Sequence, residues 1–191
     1  MLIMDLSNFI VIDVKSTNLS DHSEILSCSI VNQDGELLLD ELVKTHYTKD
    51  FSPVPHFHNI TMDQVSEKGI ELPELYDKIR EIIKYNPLVL TYNANFDLKF
   101  FPPSILNSIH PVCVMNSSLA FISASPEYES PRTYLKLNNV AFLFDVKLHD
   151  LDLLTSHGDA ELCRRVWLYM LNSNKKTLNK VSRIIRKHQE V

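Results

Sequence analysis

Apolar and polar positions change period several times along the chain, and each change marks an element. Residues 8–15 are almost continuously apolar and predict a strand buried on both faces. Ser23–Asn32 alternates and predicts a second strand. Asp34-Gly35 is a hairpin turn signal, and Glu36–Thr45 reads as the third strand. The first 45 residues therefore predict an antiparallel meander. Residues 46–60 carry three aromatics and two prolines and predict an irregular connection.

Helical spacing then takes over. Thr61 with Gln64 three residues on is a capping-box pattern, and it opens a short helix ending near Gly69. Leu72, Leu75, Ile79, Ile82 and Ile83 share one helix face, with Pro73 in the first turn. Pro87 ends that helix, and Leu88–Tyr92 is a short buried strand. The next helix starts at Asn95 or Asp97 and is limited by Pro102-Pro103. Val112–Met115 is the fifth strand, followed by helices over Ser117–Ser123 and Pro131–Phe144 with a polar loop between them. Residues 150–156 fit no single period, while Asp159–Leu171 is a clear amphipathic helix. A meander followed by alternating helix and strand gives an α/β domain with a mixed sheet.

Composition narrows the function classes. A chain of 191 residues with 45% hydrophobic content suits one domain with a sizeable core. A net charge of −5 argues against coating nucleic acid by bulk electrostatics, though not against a local groove. Three cysteines without a Cys-x-x-Cys pair read as buried, reduced thiols in a cytoplasmic protein. The N-terminus lacks a signal-peptide pattern, and no apolar run approaches the roughly 20 residues that span a bilayer, so no membrane role is expected. The chain divides into a domain over residues 1–172 and a basic segment over 173–191. In that segment Leu178, Val181, Ile184 and Ile185 make a narrow stripe among basic residues, so a basic amphipathic helix is expected. Its Lys180, Arg183, Arg186 and Lys187 are candidate nucleic-acid contacts.

The candidate chemistry starts at the first strand. Asp13 and Lys15 lie two apart, so their side chains share one face of an extended chain, with Asp13 expected at the strand's end. Two carboxylates there would begin a Mg²⁺ site, whereas one carboxylate and one ammonium do not. Asp13-Val-Lys-Ser-Thr-Asn-Leu19, His58-Asn-Ile-Thr61, Tyr92-Asn-Ala-Asn-Phe-Asp97 and Gly158-Asp-Ala-Glu161 occur in that order. Together they resemble the motifs of the DEDD-type 3′–5′ exonucleases, the family of the bacterial polymerase III proofreading subunit. The resemblance covers about residues 8–171. It implies a ribonuclease H-like fold, a mixed five-stranded sheet flanked by helices. It implies Asp13, Asp97 and Asp159 as metal ligands, with Mg²⁺ or Mn²⁺ as the cofactor of an active form and none required for an inactive one. It also implies that Ser16, Thr17 and Asn18 meet a terminal nucleotide, while Phe96 and Leu19 are candidates either for stacking a base or for the core.

The departures bear directly on activity. The family's first-motif glutamate is Lys15 here, and its second-motif histidine is Tyr92. The family's third-motif histidine stands five residues before the aspartate, where this chain has Leu154. His157 is the nearest histidine and the candidate displaced general base, with His149 a weaker one. His56 and His58 have no further ligands at metal spacing. Two-metal hydrolysis needs carboxylates around ions about 3.5–4 Å apart. Exchanging a glutamate for a lysine alters the local charge by two units, each worth about 4 kcal/mol at about 4 Å and a dielectric near 20. The expectation is a degenerate exonuclease domain that binds nucleic acid or a protein partner with little or no cleavage. The alternative is an active metal-dependent 3′–5′ exonuclease, and a pure adaptor is the third reading. Expected partners are a single-stranded 3′ end or a replication, repair or RNA-processing protein, and a homodimer is left open.

Overall fold

In the computed structural model, residues 6–48, 51, 57–86, 88–128 and 133–173 are described. β1 (Ile10–Ser16), β2 (Ile25–Asn32) and β3 (Leu37–Leu42) form the expected antiparallel meander. β4 (Leu88–Thr91) pairs parallel to β1, and β5 (His110–Cys113) parallel to β4. The sheet order is β3-β2-β1-β4-β5, mixed and five-stranded, with β1 at its centre. Gly35 sits at φ +87 in the β2–β3 turn, the backbone region that a side chain disfavours.

The helices are α1 (Met62–Lys68), α2 (Leu72–Ile83), α3 (Ala94–Asp97), α4 (Pro103–Leu106), α5 (Val114–Ala124), α6 (Leu137–Leu143) and α7 (Ser156–Asn172). The capping box of α1 forms as the sequence suggests: the Thr61 side chain accepts from the Gln64 amide, and the Gln64 side chain accepts from the Thr61 amide. Several boundaries differ from expectation. β1 runs on through Ser16, so Asp13 lies inside the strand rather than at its end. β5 ends at Cys113 and α5 begins at once at Val114, because these apolar residues serve two consecutive elements. α6 starts at Leu137, later than expected. α7 starts at Ser156, three residues before Asp159, because Thr155 caps it by accepting from the Gly158 amide. The segment over 174–191, with Lys180, Arg183, Arg186 and Lys187, lies outside the described residues, as do His56, Pro87 and Pro131.

Two cores cover the two faces of the sheet, and β1 contributes to both. Ile10, Ile12 and Val14 face Leu75, Ile79 and Ile83 of α2 with Phe101 and Ile105. Phe9 and Val11 face the other way, toward Cys163, Val166 and Trp167 of α7 with Phe121 and Phe144. The period of two therefore sends Asp13 and Lys15 to the α7 face, where α7's first turn lies. Among the described residues, no helix is long and apolar enough to cross a membrane.

Candidate functional site

Three elements converge on the end of β1. Asp13 pairs across the ladder with Ser29 and Lys15 with Ser27, and the register shifts between Lys15 and Ser16. Past that irregularity the Ser16 hydroxyl donates to the Asn18 carbonyl at 2.7 Å, and the Ser20 amide donates to Asn18 Oδ1 at 2.8 Å. These local bonds turn the chain away from the sheet. Asp97 closes the single turn of α3 directly after β4 and accepts from the Asn93 amide at 3.3 Å. Asp159 stands in the first turn of α7, a favourable place for a carboxylate. Gly158 beside it is required by space, since a Cβ there would lie 2.0 Å from the Asp152 carbonyl oxygen.

The Lys15 ammonium joins two of these carboxylates. Nζ donates to Asp159 Oδ2 and lies 3.2 Å from Asp13 Oδ2. All three side chains are largely withdrawn from solvent. Asp13 Oδ2 has no aligned hydrogen-bond donor, so its contact with Lys15 is a charge contact. Burial pushes the Asp13 carboxyl up to about 6, against the pull of Lys15 and with the help of Asp159. Burial works against the Lys15 charge, but Asp13 and Asp159 outweigh it and hold the ammonium more firmly protonated than a free lysine. Burial, and then Asp13, raise Asp97 well above the usual carboxylate range.

A cavity of about 540 Å³ opens over this cluster. Asp13, Lys15, Asp97 and Asp159 form its polar part, and Leu19, Phe57, Tyr92, Phe96 and Leu137 give it apolar and aromatic walls. Tyr92, at the second-motif histidine position, donates its hydroxyl to the Leu135 carbonyl and so ties the approach to α6 beside the opening. Ser16 and Asn18 line the cavity, as does Phe96. Thr17 does not. It is buried and bonded to Glu24 through both its amide and its hydroxyl, which makes it a loop anchor. His157, in the first turn of α7, is not part of the cavity wall. His58 is part of the wall, buried, with Nδ1 accepting from the Ile60 amide at 3.3 Å. Burial, and then the charge of Lys15, lower its pKa. The only sequence signal for His58 was its place in the His-Asn-Ile-Thr quartet.

The donor set does not fit a divalent ion. Such a site needs several oxygens at about 2.0–2.6 Å from one centre. Between Asp13 and Asp159 that centre is taken by an ammonium. Among the described residues, no group of three or more His, Cys, Asp or Glu side chains is arranged to hold a metal.

No family model matches the sequence, and no curated protein matches it either. Solved structures do match in shape. The Neurospora crassa Pan2 catalytic unit, with protease and nuclease domains, superposes with a TM-score of 0.65 at 14% identity, over 94% of this chain and 29% of that one. A 3′-exonuclease that recognises the histone mRNA stem-loop gives 0.63 at 16% identity, over 87% of this chain and 64% of that one. Cell-death related nuclease 4 gives 0.64 at 11% identity, over 87% and 64%. The chain thus spans less than a third of the Pan2 unit and under two thirds of the other two. At these identities the likeness is one of fold: the chain has the ribonuclease H-like fold of the DEDD-type exonucleases.

Proposed function

We propose that residues 1–172 form an exonuclease-fold domain that engages a single-stranded nucleic-acid end, with little or no cleavage. The Lys15 ammonium between Asp13 and Asp159 carries this reading. A fixed cation neutralises the cluster without supplying the water activation or leaving-group stabilisation that hydrolysis of a phosphodiester requires. The aromatic walls of the cavity suit a base, since every base offers a face for stacking. The basic segment over 173–191 then adds phosphate contacts through Lys180, Arg183, Arg186 and Lys187. Fold neighbours support a nucleic-acid or protein partner: a yeast Pan2 module was solved with A7 RNA, and CAF1 was solved with the NOT1 MIF4G domain.

The convergence of Asp13, Asp97 and Asp159 around one cavity favours a second reading, an active metal-dependent 3′–5′ exonuclease. A 3′-end-labelled single-strand degradation assay in Mg²⁺ and in Mn²⁺ separates the two. The wild type is expected to leave the label intact. Cleavage by the wild type that Asp97→Ala abolishes would overturn the degenerate reading.

A further inference from the structure

Beside the main cavity, and separated from it by a ridge, lies a second hollow of about 360 Å³ whose walls include Lys44, Tyr47, Tyr76, Lys99 and Phe100. The ridge is built from the chain after β1 and the 3₁₀ turn Leu98–Phe100. On one side Leu19 and Phe96 face the main cavity; on the other Asp21 and Phe100 face the hollow. Lys99 spans the crest. Its ammonium donates to the Ser20 carbonyl at 2.9 Å and sits 4.6 Å from the Phe96 ring centre and 5.0 Å from that of Phe100. The two rings meet edge to face at 5.6 Å. No ion pair between Lys99 and a carboxylate forms among the described residues, so its charge is not committed to an acid.

At the far rim Tyr47 is 91% exposed. Its loop is held rigidly, because the Glu24 carboxylate accepts from the amides of His46, Tyr47 and Thr48 at 2.7–3.2 Å. Glu71 is likewise occupied, at 3.1 Å from both Lys44 and His46. Asp21 and Glu24 in the wall are balanced by Lys44 and Lys99, so the hollow combines near-neutral charge with an aromatic platform on a braced loop and a lysine on the ridge.

Building on the proposed function, we propose that a single strand whose end occupies the main cavity continues over the Lys99 ridge and stacks a base on Tyr47. Each stacked base is worth about 5- to 100-fold in affinity. Because the hollow is close to neutral, stacking rather than charge dominates here, and Lys99 supplies one phosphate contact.

The test is fluorescence anisotropy of the full chain in EDTA with labelled oligothymidine and oligouridine of two and eight nucleotides. The wild type is expected to bind the longer probes more tightly. Tyr47→Ala should cost about 5- to 100-fold on the eight-nucleotide probes and leave the two-nucleotide probes unchanged. Tyr47→Phe should behave as wild type. Lys99→Ala should reduce the slope of log affinity against log salt by about 0.7. Wild-type-like binding of the eight-nucleotide probes by both Tyr47→Ala and Lys99→Ala overturns the path alone and leaves the cavity reading standing. Failure of the wild type to bind any probe overturns both.

Discussion

The first turn of α7 is fastened to the sheet at two neighbouring points, in two different ways. At one, Ser156 exchanges hydrogen bonds with Ser29 at 2.7 Å and Ser27 at 3.0 Å, and Ser29 donates to Asp40 at 2.6 Å. At the other, Asp159 accepts from Lys15, with Asp13 alongside. The two points are cross-strand neighbours on the same face, since Ser29 pairs with Asp13 and Ser27 with Lys15. The serine node gives each of its hydroxyls a partner and needs no charge at its centre. The lysine node leaves Asp13 Oδ2 without an aligned donor, shifts two carboxyl groups upward and opens onto a cavity. Burying charges where hydroxyls would fasten the same helix costs stability. A cost of that kind, placed at a cavity, is what a functional or formerly functional site leaves behind.

The contrast can be broken most severely at Lys15. Lys15→Met leaves three carboxylates together without a cation, and about 3 kcal/mol of stability should be lost in urea denaturation near neutral pH. That loss should shrink in mild acid, where the carboxylates take up protons. Ser156→Ala tests the other fastening and should cost less, about 1–2 kcal/mol, as a neutral node should. An equal or larger loss in Ser156→Ala would remove the distinction between the two. A pH dependence gives a further test. Asp13 holds its proton to about 6 in the folded chain, against a model-peptide value of 3.8. Between those values the folded state binds the extra proton, so this group's contribution to stability is largest below 3.8 and falls to a plateau above 6. In urea denaturation across that window the wild type should lose stability relative to Asp13→Asn as the pH rises, so that the difference between wild type and variant changes between 3.8 and 6.

Much of this was legible in the order of residues. The alternation of β1 placed Asp13 and Lys15 on one face, and the Thr61–Gln64 spacing announced a cap that forms as written. The gathering of Asp13, Asp97 and Asp159 around one cavity was implied by the resemblance of short motifs that fall on β1, α3 and α7. What was not legible depends on distant partners. Thr17 belongs to the same polar turn as Ser16 and Asn18, yet its hydroxyl is taken by the Glu24 amide seven residues on. His58 reads as a loop histidine until the fold packs it against the cavity, near the charge of Lys15. His157 is near Asp159 in sequence, but it does not join the cavity wall with its neighbour two residues on. Tyr47 carries no motif at all; only the amides bound by Glu24 reveal that the backbone beneath its exposed ring is braced.

The central claim is that the Lys15 ammonium takes the place of a divalent cation. Calorimetric titration of Mn²⁺ into the wild type and into Lys15→Glu tests it most directly. The wild type should show no saturable binding, while Lys15→Glu, which adds a fourth carboxylate beside Asp13, Asp97 and Asp159, should gain it. Stoichiometric Mn²⁺ binding by the wild type that disappears in Asp97→Ala would contradict the claim.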